Sequence, residues 1–266
     1  MKGEDDSINL SKERIGKTFV NKFGNIATCI EYNNSSDITI QFSNPEYVQH
    51  TCWQKFSKGK FKSPFDPIKD GGIVGMMNVT KDKETKAVYE TWRSMLKRCH
   101  SKLTHNNRPT YEKVECCDEW NYFPNFLKWL QSQENYSKWI NSSSIWHLDK
   151  DILSSKDNKI YSPMTCVLVP SVVNELFVSC KASRGQYPIG VYYEKNSGKF
   201  KAQCRNPILN KTVNLGRYLN VEEAFQAYKH YKEDLIKQIA EQEYANKNIT
   251  RRCYEALLKY KVEITD

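Results

Sequence analysis

A chain of 266 residues with 39% hydrophobic side chains, sixteen tyrosines and six tryptophans can pack one to three cores, which excludes a disordered polymer despite its polar average. Its formal charge of +9 points to an acidic partner, most simply nucleic acid, and the excess gathers C-terminally: residues 181–266 hold sixteen Lys or Arg against ten Asp or Glu. Nine cysteines without a CxxC pair exclude zinc-ribbon spacing and read as reduced thiols of a cytoplasmic protein; the charged start lacks the apolar run of a signal peptide, and no stretch approaches the ~20 apolar residues of a membrane span, so no membrane partner is expected.

In chain order, residues 15–73 come first. Gly16, Gly24, Asn33-Asn34 and Asn44-Pro45 punctuate short β-forming runs at 18–20, 26–30 and 38–42. They predict a small β-rich domain over 1–66, barrel-like or a strongly twisted sheet, ending in a loop made basic by Lys55, Lys58, Lys60 and Lys62. Residues 67–80, with Gly71-Gly72 inside, read as a linker. Two amphipathic helices then open a central segment, 81–180. Over 85–99, Val88, Trp92, Met95, Leu96 and Cys99 recur at helical spacing; over 119–131, Trp120, Phe123, Phe126, Leu127 and Leu130 do likewise, with Pro124 tolerable in a first turn. Stripes of this kind are core surfaces.

The last third, from 184, alternates short β-runs with a long helical pattern. Residues 189–195 read as a strand, Asn196-Ser197-Gly198 as a hairpin turn and 199–205 as a second strand. Side chains alternate along a strand, so Lys199, Lys201, Gln203 and Arg205 share one face while Phe200, Ala202 and Cys204 share the other. A third strand spans 212–218. A helix follows over 221–243, with Asn220 as N-cap, Glu222-Glu223 in the first turn and an apolar stripe of Ala224, Phe225, Tyr228, Leu235, Ile236 and Ile239. The overall expectation is an α+β chain ending, over 184–245, in a three-stranded antiparallel sheet packed on one helix, with a helical extension over 246–266. The stripe covers the oily sheet face. The cationic face stays bare, and Arg and Gln there suit base edges in the major groove of duplex DNA.

Two motifs resemble known families. "GVYYEKNSGKFKAQC" with "KTVNLGRYLNVEEAFQAYK" resembles the Apetala or ethylene-response-factor type of DNA-binding domain over about sixty residues. The resemblance implies base-reading roles for Tyr192, Gln203, Arg205, Asn214 and Arg217. Tyr192 stands where Arg is usual and Asn214 where Trp is usual, so no sequence preference carries over. Upstream, "YETWRSMLKRC", "WHLDKDIL" and "YSPMTCVLVPSVVN" resemble the ββα-metal finger of phage HNH homing endonucleases, across most of 87–177. That resemblance implies Asp149 as a metal carboxylate and Asn174 as a helix-borne ligand, together holding Mg²⁺ if the site is active. A histidine should follow Asp149 to deprotonate water, but Lys150 stands there, and a protonated lysine is a poor base. His147 is the substitute base or ligand, since His147, Asp149 and Asp151 alternate on one strand face; a structural histidine beside Trp146 is the plainer reading.

Three readings stay open on sequence alone. The first is a phage-type protein derived from an HNH homing endonuclease that binds duplex DNA in the bacterial cytoplasm. The second is an active metal-dependent nicking enzyme using His147, Asp149 and Asn174. The third is a phage inhibitor of a host enzyme or defence complex.

Overall fold

The structure, a computed structural model, describes residues 11–43, 46–142, 144–154, 159–177 and 186–264. It divides into two compact units, one formed by the described parts of 11–78 with 121–124, the other by those of 79–120 with 125–264.

In the first unit, β1 (Thr18–Val20), β2 (Ile26–Asn34), β3 (Asp37–Ser43) and β4 (Glu46–Thr51) pair antiparallel in sequence order. The sheet is an open meander, not the barrel-like closure expected. β1 and β4 are its two edges, and the three residues of β1 offer too few ladder bonds to close a cylinder. The oily face is sealed by α1 (Trp53–Ser57) and the loop after it: Phe56 packs on Phe61 and Phe61 on Phe42 at ring distances of 5.3 and 5.7 Å. β4 went unexpected because Glu46, Gln49 and His50 leave only Tyr47 and Val48 as apolar markers. Lys55, Lys58, Lys60 and Lys62 are all exposed. The start of the expected linker is folded: the Ile68 N–H donates to the Gly72 carbonyl at 2.7 Å, and Ile73 bridges Pro67 on one side and Tyr122 on the other.

The second unit contains both predicted amphipathic helices, α2 (Lys83–His100) and, past a short α3 (Lys102–Asn107), α4 (Phe123–Gln131). Asp82 caps α2 by accepting the Thr85 N–H at 2.7 Å. Trp92 on α2 is fully buried and donates its indole N–H to the Trp120 carbonyl at 2.6 Å; Trp120 in turn packs edge-on against Phe126 of α4 at 5.1 Å. Pro124 falls in the first turn of α4 as expected. α5 (Tyr136–Asn141), a six-residue helix without a long periodic pattern, follows.

The region of the second motif folds as strand, strand, helix. β5 (Glu115–Cys116) pairs in parallel with β7 (Ile160–Tyr161), while β6 (Trp146–Asp149) pairs antiparallel with β8 (Val167–Pro170), after which α6 (Ser171–Asn174) makes one turn. Residues 155–158, between β6 and β7, lie outside the described residues.

The C-terminal sheet has the expected composition. β9 (Val191–Glu194), β10 (Lys199–Asn206) and β11 (Lys211–Tyr218) pair antiparallel in the order β11-β10-β9, and α7 (Val221–Ala245) lies on one face. Ala202 and Cys204 of β10 are buried against Ala224, Phe225 and Tyr228 of α7 in a single apolar cluster. The same cluster takes in Val167, Val169 and Val173 of β8–α6, and Cys253 and Leu257 of α8 (Arg251–Lys259). The central segment, the sheet domain and the helical extension therefore share one core; the expected junction at 180–184 lies outside the described residues. Burying a side chain such as Phe225 or Ile236 is worth about 1.5–3 kcal/mol each, so this cluster is the chief support of the sheet. Lys138 of α5 ties down the turn just past α7, its ammonium donating to the Lys247 carbonyl at 2.6 Å and to Asn248 Oδ1 at 2.9 Å.

Two residues at the sheet–helix seam have measurable consequences. Gly190 holds φ +76°, and a Cβ there would lie 2.0 Å from the buried Tyr228 ring. Gly190→Ala combines a left-handed backbone with overpacking and should cost about 2–4 kcal/mol, read as a fall of several degrees in Tm. An unchanged Tm would show that α7 does not bear on the sheet there. Lys232 of α7 is 8% exposed beside Cys204 without a hydrogen bond or ion pair among the described residues, and burial depresses its pKa. The unfolded chain then binds more protons than the native one between the depressed value and the ordinary lysine value, so stability rises with pH across that window. Lys232→Met should raise Tm at neutral pH, with the gain shrinking as pH climbs toward 10.5; a gain constant with pH would rule out a desolvated ammonium as its source.

Candidate nucleic-acid interface

Strand parity and one bulge build the outer face of the sheet. On β10 the pattern is strict: Ala202 and Cys204 are buried, Lys199 and Arg205 exposed, Lys201 and Gln203 half-buried. Cross-strand register sets Tyr192 and Arg217 on either side of Lys201, Glu194 beside Lys199, Asn214 beside Gln203 and Thr212 beside Arg205. Simple alternation would put Asn214 and Arg217 on opposite faces of β11. The register shift between Ala202 and Gln203 inserts Leu215 as an extra residue, with Gly216 at φ +124° taking up the distortion. Beyond it the parity inverts: Arg217 joins Asn214 on the open face, and Tyr218 turns inward, its hydroxyl donating to the Leu215 carbonyl at 2.8 Å.

All seven residues singled out in sequence, Tyr192, Lys199, Lys201, Gln203, Arg205, Asn214 and Arg217, thus lie on one face that α7 leaves uncovered. Two more belong to it. Thr212 and Glu194 were missed, although the alternation of Glu194 with Tyr192 on β9 was available to find it. The face is pre-arranged by contacts within itself. Arg217 makes two hydrogen bonds to Glu194, at 2.6 and 3.1 Å, and its guanidinium, with help from Ser197, holds the Glu194 carboxyl down to about 2. Lys201 lies over the Tyr192 ring at 5.5 Å, and Arg205 donates to Asn210 Oδ1. Same-face residues recur about every 7 Å along a strand, close to two base-pair steps of ~3.4 Å, so successive rows can address successive parts of a groove.

The second cluster of expected residues lines a cavity of about 470 Å³ that also includes Arg98, Lys150, Asp151 and Tyr161. His147, Asp149 and Asn174 all reach it, but β6 ends at Asp149, so Asp151 lies in the turn beyond and the single strand face expected for His147, Asp149 and Asp151 stops short. Asp149 is 7% exposed. Its Oδ1 accepts the Asp151 and Ile152 N–H groups at 2.8 and 2.9 Å, and burial pushes its carboxyl above the usual range against those two bonds. His147 Nε2 shares a hydrogen bond of 2.9 Å with Ser171 Oγ at the start of α6. Lys150, 5% exposed, pairs with Asp151 and lies 5.7 Å from the Tyr161 ring, whose hydroxyl accepts from Arg98 at 2.9 Å. His105 Nε2 bonds the Arg98 carbonyl at 2.8 Å, and His100 is exposed at the end of α2.

Asp149 and Asn174 are the oxygen donors that Mg²⁺ would use. The donor set fits the ion poorly. One Asp149 oxygen is committed to a turn, the neighbouring Asp151 carboxylate is paired with the buried Lys150, and among the described residues no three His, Cys, Asp or Glu side chains gather as a metal site; a dication of this hardness wants about six oxygens, anionic ones foremost. Asp149 acts in this geometry as a turn anchor. Asp149→Asn keeps the accepting oxygen and should leave Tm nearly unchanged, whereas Asp149→Ala strands two N–H groups and should cost about 1–3 kcal/mol. Equal losses in both variants would mean that the charge, not the acceptor, is what the turn requires.

Among the described residues no helix is long and apolar enough to cross a membrane. Compared with known protein families, curated proteins and solved structures, the chain matches none.

Proposed function

We propose that this chain binds duplex DNA through the open face of β9–β11, and that the strand-strand-helix region around Asp149 is the scaffold of a former HNH site. The observation carrying the reading is the sheet itself: Lys199, Lys201, Arg205 and Arg217 interleave with Gln203, Asn214 and Tyr192 on the face opposite α7. Cations of this spacing neutralise phosphates, while Arg, Gln and Asn offer paired hydrogen bonds to guanine and adenine edges. Where β10 and β11 run on past β9 they form a two-stranded ribbon, the width a major groove admits. The place of action on this reading is the cytoplasm of a bacterial host, where a phage-type protein meets DNA.

Retention of nuclease activity is the weaker reading, because the cavity lacks a base next to Asp149 and gives Asp149, Lys150 and His147 structural partners. Supercoiled plasmid should stay intact with Mg²⁺ or Mn²⁺; nicking that Asp149→Asn and Asp149→Ala both abolish would restore the catalytic reading.

Gel retardation of duplex DNA across a salt series tests the binding reading. The wild type should shift the duplex, with affinity falling steeply as salt rises, and Arg205→Ala with Arg217→Ala should weaken it by more than about tenfold, since each bidentate base contact is worth ~1–3 kcal/mol. Glu194→Gln removes the only acidic side chain on the face and frees Arg217, so it should tighten binding and steepen the salt dependence by about one unit of slope. A wild-type shift indifferent to all three substitutions would move the binding site off this sheet.

A further inference from the structure

The turn between β10 and β11 presents two large apolar side chains to water at the end of the most cationic hairpin in the second unit. Ile208 is 41% exposed and Leu209 53%, while Lys199, Lys201, Arg205, Lys211 and Arg217 all belong to the two strands that carry the turn. β9 pairs with β10 over residues 199–202 and the Gln203 N–H still donates to the Gly190 carbonyl at 2.8 Å, so β10 from Cys204 to Asn206 continues with β11 as a two-stranded arm, and the tip stands roughly 13 Å beyond the last β9 pairing.

The turn is built rather than loose. Asn206 is 6% exposed; its amide nitrogen donates to the Tyr231 hydroxyl of α7 at 2.9 Å, and its Oδ1 accepts the Leu209 N–H at 3.0 Å. Asn210 takes φ +50°, a conformation asparagine tolerates, and its Oδ1 accepts from Arg205. Pro207 fixes one more backbone angle. The apolar pair is therefore held out from the helix-anchored strand at little further loss of conformational freedom on binding.

We infer that Ile208 and Leu209 are a wedge that inserts between base pairs and kinks the duplex lying along the sheet, an inference that rests on the DNA-binding reading above. An apolar wedge gains surface only from something oily, and a partially unstacked base step supplies it between two rails of phosphate. Arg205 before the turn and Lys211 after it stand where those rails would run. A protein partner would meet two apolar side chains flanked by the cations Arg205 and Lys211, a patch too small for a hydrophobic dock. Unstacking one step costs a few kcal/mol, least at pyrimidine–purine steps such as TA, which makes the wedge a source of sequence preference without a hydrogen bond to any base.

The test uses the full chain and a short duplex with a central TA step, dyes at its two ends and 2-aminopurine at the step. Binding should raise energy transfer between the ends, corresponding to a bend of roughly 20–90°, and brighten the 2-aminopurine as it unstacks. Ile208→Ser with Leu209→Ser, both on exposed positions and expected to keep the wild-type Tm, should still retard the duplex yet leave it straight and dark. Ile208→Val with Leu209→Met, which keeps the wedge apolar, should bend it. Retardation by the wild type without bending, or equal bending by the serine variant, overturns the wedge and leaves the sheet-face reading standing. No retardation by the wild type overturns the sheet-face reading, and the wedge falls with it.

Discussion

Strand β10 has to satisfy two solvents at once, and most of what the second unit can do depends on that. Ala202 and Cys204 are sealed under α7 together with the cluster that reaches back to Val169 and Val173. Because side chains alternate, sealing them turns Lys201, Gln203 and Arg205 outward. The alternative register is closed off by energy, since it would bury two charges without partners in a space filled by Phe225 and Tyr228. The binding face is thus a by-product of hydrophobic packing on its opposite side. Anything that loosens α7 also blurs the positions of the outward cations.

One irregularity is needed for the face to be complete. Without the extra residue at Leu215, Arg217 would point under the helix and Tyr218 into water. With it, a guanidinium lands beside Lys201 and an aromatic ring joins Phe200 in the shared core. Two cations on neighbouring strands repel, and Glu194 offsets that repulsion by accepting both hydrogen bonds from Arg217. The pair is exposed, so it adds little to stability. Its effect is orientation: Arg217 is held in a defined place and partly neutralised. Arg205, which leans on Asn210, is held in the same manner.

How far the sequence could be read follows from the range of the forces involved. Alternation and helical spacing are local signals. They located β10, α2, α4 and α7 to within a few residues, and they identified the face on which Lys199, Lys201, Gln203 and Arg205 stand. Family resemblance supplied Asn214 and Arg217 without a reason why both should share that face; the reason is the bulge, which appears only when two strands are aligned. β4 and α5 escaped because β4 is half polar and α5 too short to show a period, so both are fixed by what they pack on. The open sheet of the first unit escaped in a different way. Whether a meander closes depends on edge strands meeting in space, and neither the three residues of β1 nor the polar β4 announces that it will not.

The cavity beside Asp149 gathers the three residues that the sequence motif singled out, but Asp149 and His147 there have structural partners. His147, Asp149 and Asn174 still face one space, as the resemblance implies. What differs is the company. Lys150, standing where the resemblance expects a histidine, is buried and pairs with Asp151, so one of the two carboxylates at the cavity is already engaged. Asp149 then spends one oxygen on its own turn, and His147 holds the first residue of α6 through Ser171. Each of these bonds steadies the β6–β8–α6 region, whose Val167, Val169 and Val173 are part of the cluster under α7. A reactive centre requires groups poised away from their lowest-energy partners; here the partners have been found. The stiffness gained that way is passed through the common core to the sheet, so the region around Asp149 supports the open face of β9–β11.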